Sequence, residues 1–306
     1  MKNLEISKEK KCLISKGLLV AIGGREDKKD DLHILSTVMS LTNKRKKKIE
    51  ILTTASQYPE QIGRDYYKIF KQDPDHTVGL MHICTRQQAN DVRFLERISE
   101  ADVIFFTGGD QLRITSIIGG SLIEEELLRK YHQERIIIAG TSAGASAMSK
   151  TMINSGDSSE ALRKGTVNIS SGIGLIDNAI IDTHFVERGR FSRLMQIVSM
   201  NPRNIGIGLG EDAGIVIEGG CFLRAIGGGI TVILDGQNLL YTNVANIASD
   251  ESIAIENLII HTIVNGYGYD LCKKKYLKPE HIKMMNTVES QENKYKNDRK
   301  KIYHKE

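Results

Sequence analysis

Short, largely apolar runs bounded by glycine or charge alternate with stretches of helical spacing along the first half of the chain. Leu18 to Ile22, Ile49 to Thr53, Val78 to Ile83, Asp102 to Phe106 and Arg135 to Ala139 have the length and composition of strands buried on both faces of a parallel sheet. Between them, Asp30 to Leu41, Pro59 to Gln72 and Asp91 to Ser99 carry helical spacing, and in the second Ile62, Tyr66, Ile69 and Phe70 fall on one stripe. The alternation predicts an α/β chain with a three-layer, doubly wound and mostly parallel sheet. From Asn201 onward, glycines from Gly206 to Gly229 cut the sequence into short strands, which predicts β-hairpins added to the parallel core.

Composition narrows the class without naming a job. With 306 residues, 40% hydrophobic and 26% charged, the chain is too apolar to be disordered. It is also too interrupted by charge to supply the roughly 20 apolar residues of a membrane span. The net charge of +4 hints at a polyanionic partner, but its distribution removes the hint. Leu271 to Glu306 holds eleven Lys or Arg against five Asp or Glu, so it carries +6 and the preceding 270 residues sum to −2. Cations in a polar terminal segment are solvated charge, and no nucleic-acid face is expected. The run Lys44 to Lys48 reads the same way, as a charged turn between a helix and a strand. We therefore expect a 1–16 extension, one domain over 17–271 and a basic tail over 272–306. Cys12, Cys84, Cys221 and Cys272 are widely spaced with no CxxC pair, so reduced thiols and a cytoplasmic location are expected. The stretch Gly17 to Gly24 runs into Arg25-Glu26-Asp27-Lys28 rather than a small-residue cleavage site, which agrees with a soluble protein.

Candidate chemistry gathers where strands end. Gly140-Thr141-Ser142-Ala143-Gly144 is a GxSxG sequence between a buried-type strand and a helix, the setting that a nucleophile on a sharp turn requires. A β-carbon two residues to either side of Ser142 would collide with the neighbouring strand and helix. The Ala143 N–H is placed to meet an oxyanion. Of the eight histidines, His184 has a telling setting, at the carboxyl end of the strand-like run from Ala179. A base in that role needs a carboxylate to fix its tautomer, and Glu211, Asp212 and Asp182 all compete on spacing alone. Arg188, Arg190 and Arg193 follow the histidine closely, either as a clamp for substrate carboxylates or as a solvated helix face. Nucleotide binding has little support. Gly227-Gly228-Gly229 precedes a strand-like run rather than a helix, and neither GxGxxG in a first βα turn nor a P-loop lysine occurs.

Five ordered segments carry a family pattern: Gly23-Gly24-Arg25-Glu26-Asp27; Phe106-Thr107-Gly108-Gly109-Asp110-Gln111; Gly140 to Ser146; Asp182-Thr183-His184-Phe185 with Arg188, Arg190 and Arg193; and Gly206-Ile207-Gly208 with Glu211. Together, over roughly Gly17 to Leu271, they resemble the serine peptidase family that contains cyanophycinase and the aspartyl dipeptidase peptidase E. The resemblance implies a flavodoxin-like fold of the class I glutamine-amidotransferase kind and a homodimer that works without metal or other cofactor. It implies the triad Ser142, His184 and Glu211, oxyanion donors at Gly109 or Asp110 and at Ala143, and substrate contacts at Gln111, Asp182, Arg188, Arg190 and Arg193. The substrate implied is cyanophycin, an aspartate backbone with arginine on each side-chain carboxyl, released as β-Asp-Arg dipeptides. Thr183 stands where well-known cyanophycinases have glutamine, which leaves free aspartyl or isoaspartyl dipeptides as the alternative substrate.

Overall fold

Side-chain alternation along β1 (Leu18–Ile22) divides that strand between two layers: Leu19 and Ala21 join one core, Val20 and Ile22 another. The computed structural model describes residues 15–160 and 162–283. Three further strands are shared in the same way with β1: β2 (Lys48–Leu52), β4 (Val103–Phe106) and β5 (Ile137–Thr141), while β3 (Thr77–Met81) closes the edge. All five run parallel in the spatial order β1-β5-β4-β2-β3. Crossovers are made by α1 (His33–Ser40), α2 (Pro59–Phe70), α3 (Val92–Glu100), and the pair α4 (Gln111–Ile118) and α5 (Leu122–Gln133). Tyr66 and Phe70 of α2 are buried against Phe105, as the predicted stripe requires, and Ile62 and Ile69 pack partly buried beside them.

The first helix begins three residues later than its sequence pattern suggests. The Asp27 carboxylate accepts the N–H groups of Lys29, Asp30 and Leu32, and this local satisfaction of backbone donors holds 27–32 as a loop. Of the basic run leading into β2, Lys44 meets Asp102, Arg45 meets Asp75 and Lys48, the first residue of the strand, meets Glu100, so part of that charge is paired.

After β5 the chain makes the short α6 (Ala143–Ser146), a hairpin of β6 (Thr151–Ser155) with β7 (Asn168–Ser171), and then β8 (Ala179–Thr183), α7 (Phe191–Met200) and β9 (Ile205–Leu209). Here the architecture departs from a single sheet. β8 and β9 pair in parallel and are continued by β12 (Thr231–Asp235) and β15 (Ile259–Ile263), giving a second, four-stranded sheet. Between β9 and β12 the chain crosses to the large sheet as β10 (Ala213–Glu218) and β11 (Phe222–Gly227), antiparallel additions beside β1. A small pair, β13 (Tyr241–Thr242) with β14 (Ile255–Glu256), stands apart. The expected hairpins are present, but they are shared between two sheets whose facing side chains, including Ile181, Ile207 and Leu209, join the same core as β1 and β5.

Two expectations are corrected at the far edge. β16 (Gly268–Asp270) pairs with β11, and β17 (Lys275–Leu277) pairs with β16, so ordered sheet continues past Leu271 into the segment assigned to the tail. The Phe222–Asp270 register brings the adjacent Cys221 and Cys272 together as a disulfide, Cα–Cα 5.4 Å, against the expectation of reduced thiols. Cys84 is free and exposed, while Cys12, the rest of the basic tail from 284 and residues 1–14 lie outside the described residues.

Candidate active site

Parallel strands end on one edge, and that edge collects the loops after β1, β4 and β5. Ser142 follows β5 at φ 51, ψ −112, a backbone geometry that L-residues avoid, and its N–H is tied to Ile22 O at 2.9 Å. The flanking glycines are required by contact. A Cβ on Gly140 would lie 2.7 Å from the Gly144 backbone, and one on Gly144 would lie 2.7 Å from Phe106 Cβ. His184 follows β8 at φ 47 and arrives from the other sheet, its N–H donating to Gly23 O at 2.9 Å across the junction. Glu211 sits where the chain crosses from β9 to β10. Thus the three groups converge between sheets, a placement that a single doubly wound sheet does not describe.

The relay distances are those of direct hydrogen bonds. Ser142 Oγ lies 2.9 Å from His184 Nε2, and His184 Nδ1 lies 2.9 Å from Glu211 Oε1. The hydrogen bond with His184, followed by the nearby charge of Arg25, holds the Glu211 carboxyl below its ordinary value. Asp212, a competitor on spacing, turns away to accept the N–H groups of Asp27 at 3.2 Å and Gly228 at 3.3 Å. Of the eight non-glycine residues with positive φ among the described residues, Arg25, Ser142, His184 and Asp212 are at this site. Such geometry costs on the order of 1–3 kcal/mol per residue and persists where surroundings enforce it.

Donors for an oxyanion separate cleanly. Asp110 N–H is taken by Ala55 O at 2.9 Å, and its carboxylate caps α4 through Leu112 N at 2.8 Å, so Asp110 shapes the turn and does not donate into the site. The Ala143 N–H stands at the first position of α6, where no intrahelical acceptor exists. Gly109 has φ 147, and a Cβ there would lie 2.2 Å from Ala55 O, so this turn admits only glycine.

The expected substrate contacts divide into locked and open groups. Asp182 is buried and both of its oxygens are engaged by Arg193, with Nε donating to Oδ2 at 2.6 Å and Nη2 bonding Oδ1. Arg190 adds Nη1 to Asp182 Oδ1 at 3.3 Å and to Thr183 O at 2.6 Å. Burial lowers the Arg190 pKa, and Asp182 opposes the shift. Arg193 is likewise buried, so of the three arginines Arg188 is exposed, Arg190 is half-buried and Arg193 is held in the ion pair with Asp182. Thr183 is buried, and Gln111 spends its amide N–H on Ile153 O and Asn154 O at 3.1 and 3.3 Å, steadying the β6–β7 hairpin near the turn after β4.

Glu26 escaped the reading of the sequence as a site residue. It is buried behind the nucleophile, bonded by Tyr66 Oη and by Thr141 Oγ1 at 2.7 Å. Burial of the Tyr66 hydroxyl, followed by the charge of Glu26 beside it, raises the Tyr66 pKa well above the usual tyrosine value. A cavity of about 930 Å³ opens elsewhere, between α5 and the loop before β8, but none of Ser142, His184 and Glu211 lines it. Among the described residues no cluster of His, Cys, Asp or Glu could hold a metal ion, and no helix is long and apolar enough to cross a membrane.

Comparison with known proteins places the chain among peptidases. Proteins named cyanophycinase are similar along most of their length: that of Synechococcus elongatus is 34% identical over 256 residues, covering 84% of this chain and 80% of the relative. Those of Geminocystis herdmanii and Trichormus variabilis are each 32% identical, covering 82% and 87% of this chain and 93% and 90% of the relatives. The crystal structure of a peptidase from an acI-B1 actinobacterium shares the fold, with a TM-score of 0.62 and 18% identity over 84% of this chain and 97% of that one. Residues 18–224 match peptidase family S51, and the chain belongs to that family of serine-type peptidases.

Proposed function

We propose that the chain is an exopeptidase that degrades cyanophycin to β-Asp-Arg dipeptides. The observation that carries the chemistry is the continuous relay from Ser142 through His184 to Glu211. Ser142 Oγ attacks the aspartyl backbone carbonyl as His184 Nε2 takes its proton, and the imidazolium then gives that proton to the leaving amine. Glu211 stays ionised, orients the ring and stabilises its positive charge. Water hydrolyses the acyl-enzyme with His184 again as base. The N–H groups of Ala143 and Gly109 meet the oxyanion, and loss of one such donor costs on the order of a hundredfold or more in rate.

Arg188 and the open side of Arg190 receive substrate carboxylates, while the Asp182–Arg193 pair holds the Arg190 segment in place. Support for the polymer comes from the relatives named cyanophycinases. Thr183 supports a second reading, a dipeptidase for free aspartyl or isoaspartyl dipeptides, because a threonine there lacks the amide of a glutamine. Incubation with cyanophycin and with α- and β-aspartyl dipeptides, followed by mass identification of products, separates the two. Release of β-Asp-Arg from the polymer supports the first; turnover of dipeptides alone supports the second. Homodimerisation, implied by family likeness, belongs to the same reading and is tested by sedimentation. A cytoplasmic location is tested by fractionation, since a reducing compartment opposes the Cys221–Cys272 disulfide.

A further inference from the structure

The loop from Gly23 to Asp27 touches the support of every member of the relay. Gly23 O accepts the His184 N–H at 2.9 Å, and Gly24 O accepts the Asp212 N–H at 3.0 Å beside Glu211. Glu26 accepts the Thr141 hydroxyl at 2.7 Å, next to Ser142. Between these anchors Arg25 turns its guanidinium to the acid, Nη1 donating to Glu211 Oε2 at 3.2 Å. The other oxygen, Oε1, is the one that meets His184 Nδ1 at 2.9 Å.

Two features set this contact apart from an ordinary surface ion pair. First, Arg25 adopts φ 49, a left-handed backbone that the anchors on either side impose, so its side chain leaves the loop in a fixed direction. Second, the torsion at the end of a glutamate side chain is broad, and a carboxylate gripped on one oxygen can rock about it. A partner on each oxygen fixes its plane. We propose that Arg25 is a positioning residue for the relay, pinning Glu211 Oε2 so that Oε1 stays aligned with His184 Nδ1. This rests on the reading of Ser142, His184 and Glu211 as the catalytic relay.

The charged groups around Glu211 are few. His184 and Arg25 face the carboxylate; Glu187 accepts the Glu211 N–H at 3.0 Å; Asp212, next in the chain, is turned toward Asp27 and Gly228. The Arg25 side chain is 76% exposed, so solvent and salt screen the charge and the effect on rate is modest. A two- to fivefold change is about what an exposed pair supplies. Removing Arg25 takes away one of the positive charges that hold the Glu211 carboxyl low, so its pKa rises toward the ordinary value and the low-pH limb of activity moves to higher pH.

The test compares wild type, Arg25→Met and Arg25→Lys by two readouts across the acid limb. One is the rate of Ser142 phosphonylation by a small fluorophosphonate, which needs no peptide substrate; the other is turnover of cyanophycin. Arg25→Met is expected to slow phosphonylation and kcat about two- to fivefold, shift the acid limb upward and leave KM unchanged. Arg25→Lys, with a point charge in place of the planar fork, is expected to recover part of the loss. Rates and acid limb equal to wild type in both variants would overturn the proposal. So would a raised KM with kcat intact, which would make Arg25 a substrate contact. A wild-type protein inert to the fluorophosphonate would instead overturn the relay reading on which the proposal rests.

Discussion

Replacing Asp182 by alanine separates a structural role from a substrate role for the residues beside His184. The carboxylate side chain is 2% exposed and that of Arg193 is 6% exposed, so the pair is out of solvent. Arg193 makes two bonds to this carboxylate and keeps only Gly156 O at 3.3 Å once it is gone. Arg190 loses its 3.3 Å contact but retains Thr183 O at 2.6 Å. An uncompensated buried guanidinium costs roughly 3–5 kcal/mol. At about 2–4 °C per kcal/mol for a domain of this size, Tm falls by roughly 6–20 °C, readable by calorimetry. Removing both charges in Asp182→Leu with Arg193→Met is expected to restore much of the loss, because a buried pair replaced by apolar groups is often near neutral. Asp182→Ala that melts with wild type and raises only KM would refute the structural assignment and return Asp182 to the substrate.

Three other outcomes follow from contacts on separate parts of the molecule. In Gly24→Ala the new Cβ would lie 2.4 Å from His184 Cε1 at a φ of 104, so kcat should fall at least tenfold, by the roughly 1.4 kcal/mol of misalignment that this factor represents, with the protein still folded by circular dichroism. Backbone N–H groups, first that of Lys29, lower the Asp27 pKa from 3.8 to about 2. Ionised Asp27 therefore stabilises the native state above pH 3.8 and loses that contribution as pH falls toward 2, so the gap in urea midpoint between wild type and Asp27→Asn should close over that window. In Cys221→Ser, loss of a disulfide spanning 51 positions should lower stability by about 2–4 kcal/mol, and reductant should lower the Tm of wild type but not of the variant.

The parts of this fold that the sequence expresses are those decided by burial on both faces. β1, β4 and β5 are largely apolar runs because each shares its side chains between two cores, and the glycines around Ser142 stand where Cβ atoms would strike backbone or Phe106. The sheet to which β8 belongs was not legible, since Ala179 to Thr183 is buried on all sides and apolar character names no partner strand. Likewise the pairing of Cys221 with Cys272, 51 positions on, depends on the β11–β16 register, whose hydrogen bonds leave no local mark in the sequence. Asp182 misled by adjacency. Its neighbour in sequence is the residue before the base, but its partner in space is Arg193, eleven positions on. Arg25 was visible as part of a motif, yet its role depends on Glu211, 186 positions away.

The central claim is that Ser142, activated by His184 and Glu211, cleaves a cyanophycin-type substrate. Its most direct test is the rate of β-Asp-Arg release from cyanophycin by wild type and by Ser142→Ala, with products identified by mass. The account predicts release by the wild type and a fall of about 10⁴-fold or more in the variant, the scale of loss when a relay nucleophile is removed. Equal release by Ser142→Ala, or no β-Asp-Arg from the wild type, would contradict it.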